Sequence, residues 1–304
     1  MLVRAEDGIG LHAEITDDLG AAMTVVFCHG FGGDRSMWGP QREALAGRVR
    51  VVAWDHRGHG RSGWGEPGRA TIAQTGRDLA AVLAATTATG PVVLVGHSMG
   101  GMSIQALAGA HPDLFGTRVV GVLLLATTAG GVFTDGALGV VFGALRRCGL
   151  LPVALGAVRS VAPWADRVPW RRRAVGRYAV RHVLFDADDD PAQVRAAQAR
   201  AEAVPLPVDA AFYAGLLAHD QTAALPALAR VPVVVLGGAR DRVIPIEHSR
   251  RLSAALGPTA ELVVVADAGH LLGATHPELV DAALDRLIAR VSEGRRTVGS
   301  GGRV

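Results

Sequence analysis

The segment Gly96-His97-Ser98-Met99-Gly100 lies between the apolar run Pro91-Val92-Val93-Leu94-Val95 and an apolar, helix-spaced stretch that follows Gly101. A strand must therefore give way to a helix almost at once. Such a turn forces its central residue into a strained conformation and exposes that side chain at the tip. Glycines must flank it, because a Cβ at either place would strike the neighbouring strand or helix. The central residue is Ser98. A hydroxyl is a weak nucleophile at neutral pH, so the arrangement predicts two partners further along the chain, an acid and then a histidine.

Other apolar runs fit the same kind of sheet. Residues 2–5 and 11–15, joined by Glu6-Asp7-Gly8-Ile9-Gly10, read as an antiparallel hairpin. Further strands are expected at 24–28, 49–54, 92–95, 119–125, 231–236 and 261–266. Helices are expected near 40–45, over 71–85 with Ile72, Leu79, Val82 and Leu83 on one face, and over 99–110, 247–256 and 277–291. Apolar runs without alternation, separated by helices, imply a parallel sheet covered on both faces. The rhythm stops near Thr127, and residues 129–219 are helical in pattern and rich in Arg, Trp and Pro. The expected organisation is an α/β core (1–128 and 220–291), a helical insertion (129–219) and a disordered tail (292–304) without apolar periodicity.

In open sheets of this kind, functional loops cluster beyond the C-terminal ends of the strands. Asp241 follows one such strand through Gly237-Gly238-Ala239-Arg240, and His270 follows the last through Asp267-Ala268-Gly269. An imidazole there would take the proton of Ser98 and return it to a leaving group. Asp241 would hold its tautomer and stabilise the imidazolium. Arg240 and Arg242 leave a surface salt bridge open as the alternative role of Asp241, and Asp135 is the weaker candidate acid. His276, directly before Pro277, fits a helix start. The loop His29-Gly30-Phe31-Gly32-Gly33 follows the strand at 24–28 and brings unobstructed backbone N–H groups towards Ser98. The N–H groups of Phe31 and Met99 are the expected oxyanion donors. A glycine-rich loop can also hold phosphate, but this one carries neither phosphate-binding glycine spacing.

Composition narrows the classes. The chain is 49% hydrophobic and 19% charged, which favours a packed core over disorder. Its net charge of +3 rests on arginine alone, aromatics make up 5%, and no basic stripe is interleaved with them, so no nucleic-acid partner is expected. Cys28 and Cys148 do not make a disulfide framework, and Cys28 reads as a small buried hydrophobe. Residues 1–7 carry acids where a secretory signal needs an apolar stretch. Residues 119–145, the most apolar region, are interrupted by Asp135 and glycines and fall short of the roughly 18 apolar residues of a membrane span. A soluble, cytoplasmic protein is expected.

Five segments, taken in order and spacing, resemble the α/β-hydrolase fold family across residues 2–291. They are His29-Gly30-Phe31-Gly32-Gly33, Asp55-His56-Arg57-Gly58-His59-Gly60-Arg61-Ser62, Gly96-His97-Ser98-Met99-Gly100-Gly101, residues 237–241 with Pro245, and Ala268-Gly269-His270. The resemblance implies a mostly parallel eight-stranded sheet with a helical cap inserted after the sixth strand. Residues 55–62 look like the family's structural turn, with Arg57 expected to pair with Asp55, and His29 and His97 are expected to pack and hydrogen-bond. Haloalkane dehalogenases and related epoxide hydrolases place aspartate at the position of Ser98, so serine implies acyl chemistry through an acyl-Ser98. Neither metal nor organic cofactor is implied.

The expected activity is hydrolysis of a carboxylic ester of a small or medium apolar substrate, monoacylglycerol-like lipids included. The alternatives are carbon–carbon bond hydrolysis of ring-cleavage products, lactone or thioester hydrolysis, and cofactor-free perhydrolysis, all with the same triad. A ligand receptor with little turnover belongs to a different class. Residues 138–164 mix apolar runs with Arg146, Arg147 and Arg159. They read as a cap packed on the core, with membrane-surface contact as the less favoured reading. The five arginines between Trp170 and Arg181 read as a solvated face, with attraction of an anionic substrate as the alternative. The acids at 186–190 before Pro191 read as a loop and helix start, not a metal site. Neither the acyl group nor the oligomeric state is written in the sequence.

Overall fold

The computed structural model describes residues 1–16, 21–87, 89–132, 144–145, 147–150, 153, 156–157, 160, 174 and 176–300, with side chains up to 294. Eight strands form one sheet: β1 (Leu2–Arg4), β2 (Gly10–Ile15), β3 (Thr24–Cys28), β4 (Arg50–Trp54), β5 (Val92–His97), β6 (Val119–Leu125), β7 (Val233–Gly238) and β8 (Ala260–Val265). Their spatial order is β1-β2-β4-β3-β5-β6-β7-β8. Strand β2 is antiparallel to both neighbours, and from β4 to β8 every pairing is parallel.

Strands β3, β5 and β6 are buried along their whole length, because helices cover both faces. Successive side chains still point to opposite faces. Val92 and Leu94 join a cluster with Leu79, Val82, Ile104, Leu107 and Leu252, whereas Val93 and Val95 join Trp38, Leu284 and Leu287. Helix α1 (Gly39–Ala44) precedes β4; the first set carries α2 (Ile72–Thr86) and α3 (Met99–Ala110), and the second carries the C-terminal helix (Pro277–Ser300). Each such side chain contributes about 1.5–3 kcal/mol on leaving water, which explains the absence of polar alternation in these strands. Helix α2 starts where predicted, because Thr71 Oγ1 accepts from the Gln74 N–H at 3.1 Å.

Between β6 and β7 the described elements include a π-helical turn (Val180–Leu184), α4 (Pro191–Ala203) and α5 (Leu206–Leu217). Asp190 caps α4 by accepting from the Ala192 N–H at 2.8 Å, as a loop and helix start requires. The chain leaves and returns at one point, since Gly130 bridges Asp220 and the Gln221 N–H donates to Ala129 O at 2.7 Å. Asp135, Arg146, Arg159 and residues 161–173 lie outside the described residues. Among those described, no helix is long and apolar enough to cross a membrane.

Two expectations need correction. The last helix does not stop at Val291 but runs to Ser300, so the segment read as a tail from residue 292 is largely helical. Among the residues whose side chains are described, Val291 is the last of that helix buried in the core. Past it, backbone bonds carry the helix on after the apolar stripe that would have signalled it has ended. Nor does Arg57 pair with Asp55. Its guanidinium binds Asp78 on α2 through two bonds of 2.6 Å and Asp7 at 2.9 Å. Asp55 instead accepts from the N–H groups of Arg35 and Arg61 and from Arg35 Nη1, because the turn after β4 aims it at the loop beyond β3.

Candidate active site

Ser98 is the hinge between β5 and α3, with φ 52° and ψ −117°. The reversal is pinned by the Ser98 N–H donating to Leu125 O at 2.9 Å and by Thr127 Oγ1 donating to Ser98 O at 2.8 Å. The glycine requirement is steric. A Cβ on Gly96 would lie 2.6 Å from the Gly101 nitrogen, and one on Gly100 would run into the carbonyl oxygens of Cys28 and His29.

The loop after β3 rests on this turn. A Cβ on Gly30 would come within 2.5 Å of His97 Nδ1 and 3.3 Å of Ser98 Cβ. In the loop, Gly33 donates to Gly30 O at 3.1 Å and Gly32 donates to His59 Nε2 at 3.3 Å. Among the described residues the N–H groups of Phe31 and Met99 have no acceptor, which leaves both sequence-predicted donors available.

Asp241 and His270 meet beyond the ends of β7 and β8. His270 Nδ1 donates to Asp241 Oδ2 at 2.8 Å, and Asp241 Oδ1 accepts from the Val243 and Ile244 N–H groups at 2.8 and 2.9 Å. The two loops are joined by the Arg240 N–H donating to Ala268 O at 3.0 Å. Arg240 and Arg242 do not compete for Asp241; both pair with Asp186, at 3.8 and 2.8 Å. With Nδ1–H committed to Asp241, His270 Nε2 carries a free lone pair. His97, next to Ser98, donates from Nε2 to His270 O at 2.9 Å, and the two rings lie 4.8 Å apart. Among the described residues Ser98 Oγ makes no hydrogen bond to His270, so the closed link is the one between His270 and Asp241. His276 precedes the C-terminal helix as expected and faces Asp267 at 3.4 Å.

Four buried histidines surround the loop at 29–33. His29 Nδ1 donates to Gly30 O at 2.7 Å while its Nε2 accepts from the His56 N–H at 2.8 Å. His56 Nε2 donates to His29 O at 3.0 Å, and His59 Nδ1 donates to Arg57 O at 3.0 Å. Removal from water disfavours the imidazolium. It lowers His29 to about 4, His59 and His97 to about 3, and His56 well below the ordinary range. All four are therefore neutral near pH 7, and the bare Nε2 atoms of His29 and His59 accept from the backbone N–H groups of His56 and Gly32. Reading residues 55–62 as a turn missed that His56 and His59 brace this loop. The available signal was that β3 and β4 are sheet neighbours, so the loops leaving them must touch.

Met99, the residue after Ser98, belongs to an apolar cluster with Met102, Val204, Val208 and Phe212, against which Phe31 and Trp64 pack. Cys28 is not a second nucleophile: burial pushes its thiol up to about 12, and Trp54 Nε1 donates to its sulfur at 3.4 Å. Among the described residues no group of three His, Cys, Asp or Glu is placed to hold a metal ion.

Comparison with known proteins places this geometry in a lineage. The profile described as "Alpha/beta hydrolase family" matches residues 25–283. A protein of Caulobacter sp. (strain K31) named "Putative carbamate hydrolase RutD" is 31% identical over 268 residues, covering 86% of this chain and 88% of that protein. The solved thermophilic esterase from Thermogutta terrifontis superposes with a TM-score of 0.75 at 29% identity, covering 96% of this chain and 98% of that one. The structure described as Est816, an N-acyl homoserine lactone degrading enzyme, gives a TM-score of 0.68 at 25% identity over 94% of this chain and 99% of its own. With its sheet order, its elbow and a match running through most of its length, the chain belongs to the alpha/beta hydrolase family.

Proposed function

We propose that the protein is a serine hydrolase that cleaves a carboxylic ester of small or medium size with an apolar body, through an acyl-Ser98 intermediate. The observation that carries the reading is the Asp241–His270 hydrogen bond of 2.8 Å, which leaves His270 Nε2 as the base beside a serine held at φ 52°. Ser98 Oγ attacks the acyl carbon while its proton passes to His270 Nε2. The carbonyl π electrons move to oxygen, and this oxyanion faces the N–H groups of Phe31 and Met99. Such donors are typically worth about 100- to 1,000-fold each in turnover. Collapse restores the carbonyl and breaks the bond to the alcohol, which leaves with the proton from His270. A water then repeats the sequence on the acyl-serine and releases the acid. The helices between β6 and β7 would roof the site and select the acyl group.

One alternative substrate has specific support. The relative named as a carbamate hydrolase is 31% identical over 268 residues, and a carbamate would follow the same path through a carbamoyl-Ser98.

The test is Ser98→Ala assayed on short p-nitrophenyl esters, together with labelling of Ser98 by a fluorophosphonate. Turnover should fall by about four to six orders of magnitude, and unchanged hydrolysis would overturn the assignment. Comparing kcat/KM for an ester and the carbamate of the same alcohol decides between the two acyl classes.

A further inference from the structure

Arg200 stands near the C-terminal end of the helix Pro191–Ala203, one turn before Val204. Two contacts place that end of the helix over the site. Ala197 and Ala201 pack in a cluster with Leu271, the neighbour of His270. Val204 packs in the cluster that holds Met99, Phe31 and Phe212. Residues three apart share a helix face, so Arg200 lies on the side of Ala197, which packs with Leu271.

Its state is unlike that of the other withdrawn arginines. Arg57, buried, is neutralised by Asp7 and Asp78, and Arg35 is neutralised by Glu14 and Asp55. Arg177, exposed beside α4's path, is paired with Glu202 at 2.5 Å. Arg200 is partly withdrawn from water, yet among the described residues its guanidinium makes neither a hydrogen bond nor an ion pair. Burial lowers its pKa below the ordinary arginine value; the charge of Asp34 acts the other way, and Arg200 in turn is felt by His29. Asp34, the anion that acts on it, accepts from the Ser36 N–H at 2.8 Å and, among the described residues, makes no ion pair with Arg200. A half-buried cation without a hydrogen-bonded anion costs stability, and a ligand carboxylate supplies the missing bonds.

We propose that Arg200 binds a carboxylate carried by the substrate, remote from the bond being cleaved, so that the preferred ester is a monoanion with an apolar middle. This rests on the reading of Ser98 as the nucleophile. A single planar guanidinium matches one carboxylate, whereas a phosphate dianion calls for more cationic donors than one arginine offers.

The measurement is the ratio of kcat/KM for mono-4-nitrophenyl adipate to that for its neutral methyl ester, in the wild type and in Arg200→Gln. The wild-type ratio is expected to be about 10 to 100, the usual value of a hydrogen-bonded charge pair, and to fall to near one in Arg200→Gln. A wild-type ratio near one, a ratio unaffected by Arg200→Gln, or a preference for the phosphate analogue over the carboxylate overturns the proposal. Calorimetric binding of adipate to Ser98→Ala and to Ser98→Ala/Arg200→Gln needs no turnover. Binding at least about tenfold weaker in the double variant supports the carboxylate site even if neither ester is hydrolysed, in which case the hydrolase reading alone falls. Hydrolysis of both esters at equal rates with Arg200-independent adipate binding leaves the hydrolase reading standing and removes this one.

Discussion

Acidification from pH 7 to pH 5 should destabilise this protein far more than its carboxylates can account for. His29 lies near pKa 4, and His59 and His97 near 3, in the folded chain, against 6.5 when free in water. A base with a depressed folded pKa is protonated in the unfolded chain before it is protonated in the native one. The unfolded state therefore binds more protons, and stability is lost as pH falls below 6.5 towards the folded pKa values. At pH 5 each of the three is still neutral when folded and charged when unfolded. Each then forfeits about 2 kcal/mol, from 1.5 pH units at about 1.4 kcal/mol per unit. The sum is about 6 kcal/mol, comparable to the whole stability of many domains. His56, shifted in the same direction, adds to it. Asp7 and Glu14, whose carboxyls are held low by Arg57 and Arg35, lose stability only at lower pH and do not enter this window. Urea titrations at pH 7 and pH 5, read as the difference in unfolding free energy, measure the effect. A difference below about 2 kcal/mol, or imidazole resonances of His29, His59 and His97 in the folded protein that titrate between these pH values, would refute the reasoning.

Two substitutions probe the site and its support. Asp241→Asn keeps the shape but lets the amide donate to Nδ1, so the ring turns to the tautomer that has no lone pair at Nε2. Steady-state kinetics should show kcat down about 10³- to 10⁴-fold with folding intact, and a loss under tenfold would argue against the role of Asp241. Gly100→Ala drives a methyl into the carbonyl oxygens of Cys28 and His29. Denaturant unfolding should reveal a loss of about 2 kcal/mol or more, and a neutral result would contradict the close contact of α3 with the end of β3.

Much of the framework was legible because it rests on local signals. Strands β3 and β6 and helix α3 fall on the boundaries read from the sequence, each an apolar run closed by glycine or polar punctuation. Asp241 and His270 could be found because both follow strands, and the geometry of a parallel sheet brings such loops together. Strand β7 was displaced: it runs from Val233 to Gly238, since Gly237 and Gly238, which look like strand breakers, are inside it. They are needed there for close approach, as a Cβ on Gly237 would sit 2.5 Å from Ser249 Oγ. Long-range charge pairing left no trace in the sequence. Arg57 has Asp55 beside it in the chain, but its partner Asp78 stands on a helix that only the folded sheet brings near. Arg200 is the same kind of case, because nothing in the pattern of α4 tells which of its arginines faces the site.

The contact of Gly100 with the carbonyls of Cys28 and His29 ties the elbow to the glycine loop through main chain alone. The two N–H groups proposed as oxyanion donors also belong to the main chain, at Phe31 and Met99. Side-chain replacement at either position therefore leaves the polar apparatus in place while redrawing the wall of the cavity. Under the proposed function, the groups that do the chemistry and those that choose the substrate can thus vary independently, so directed evolution at residue 31 should change selectivity more readily than it destroys turnover.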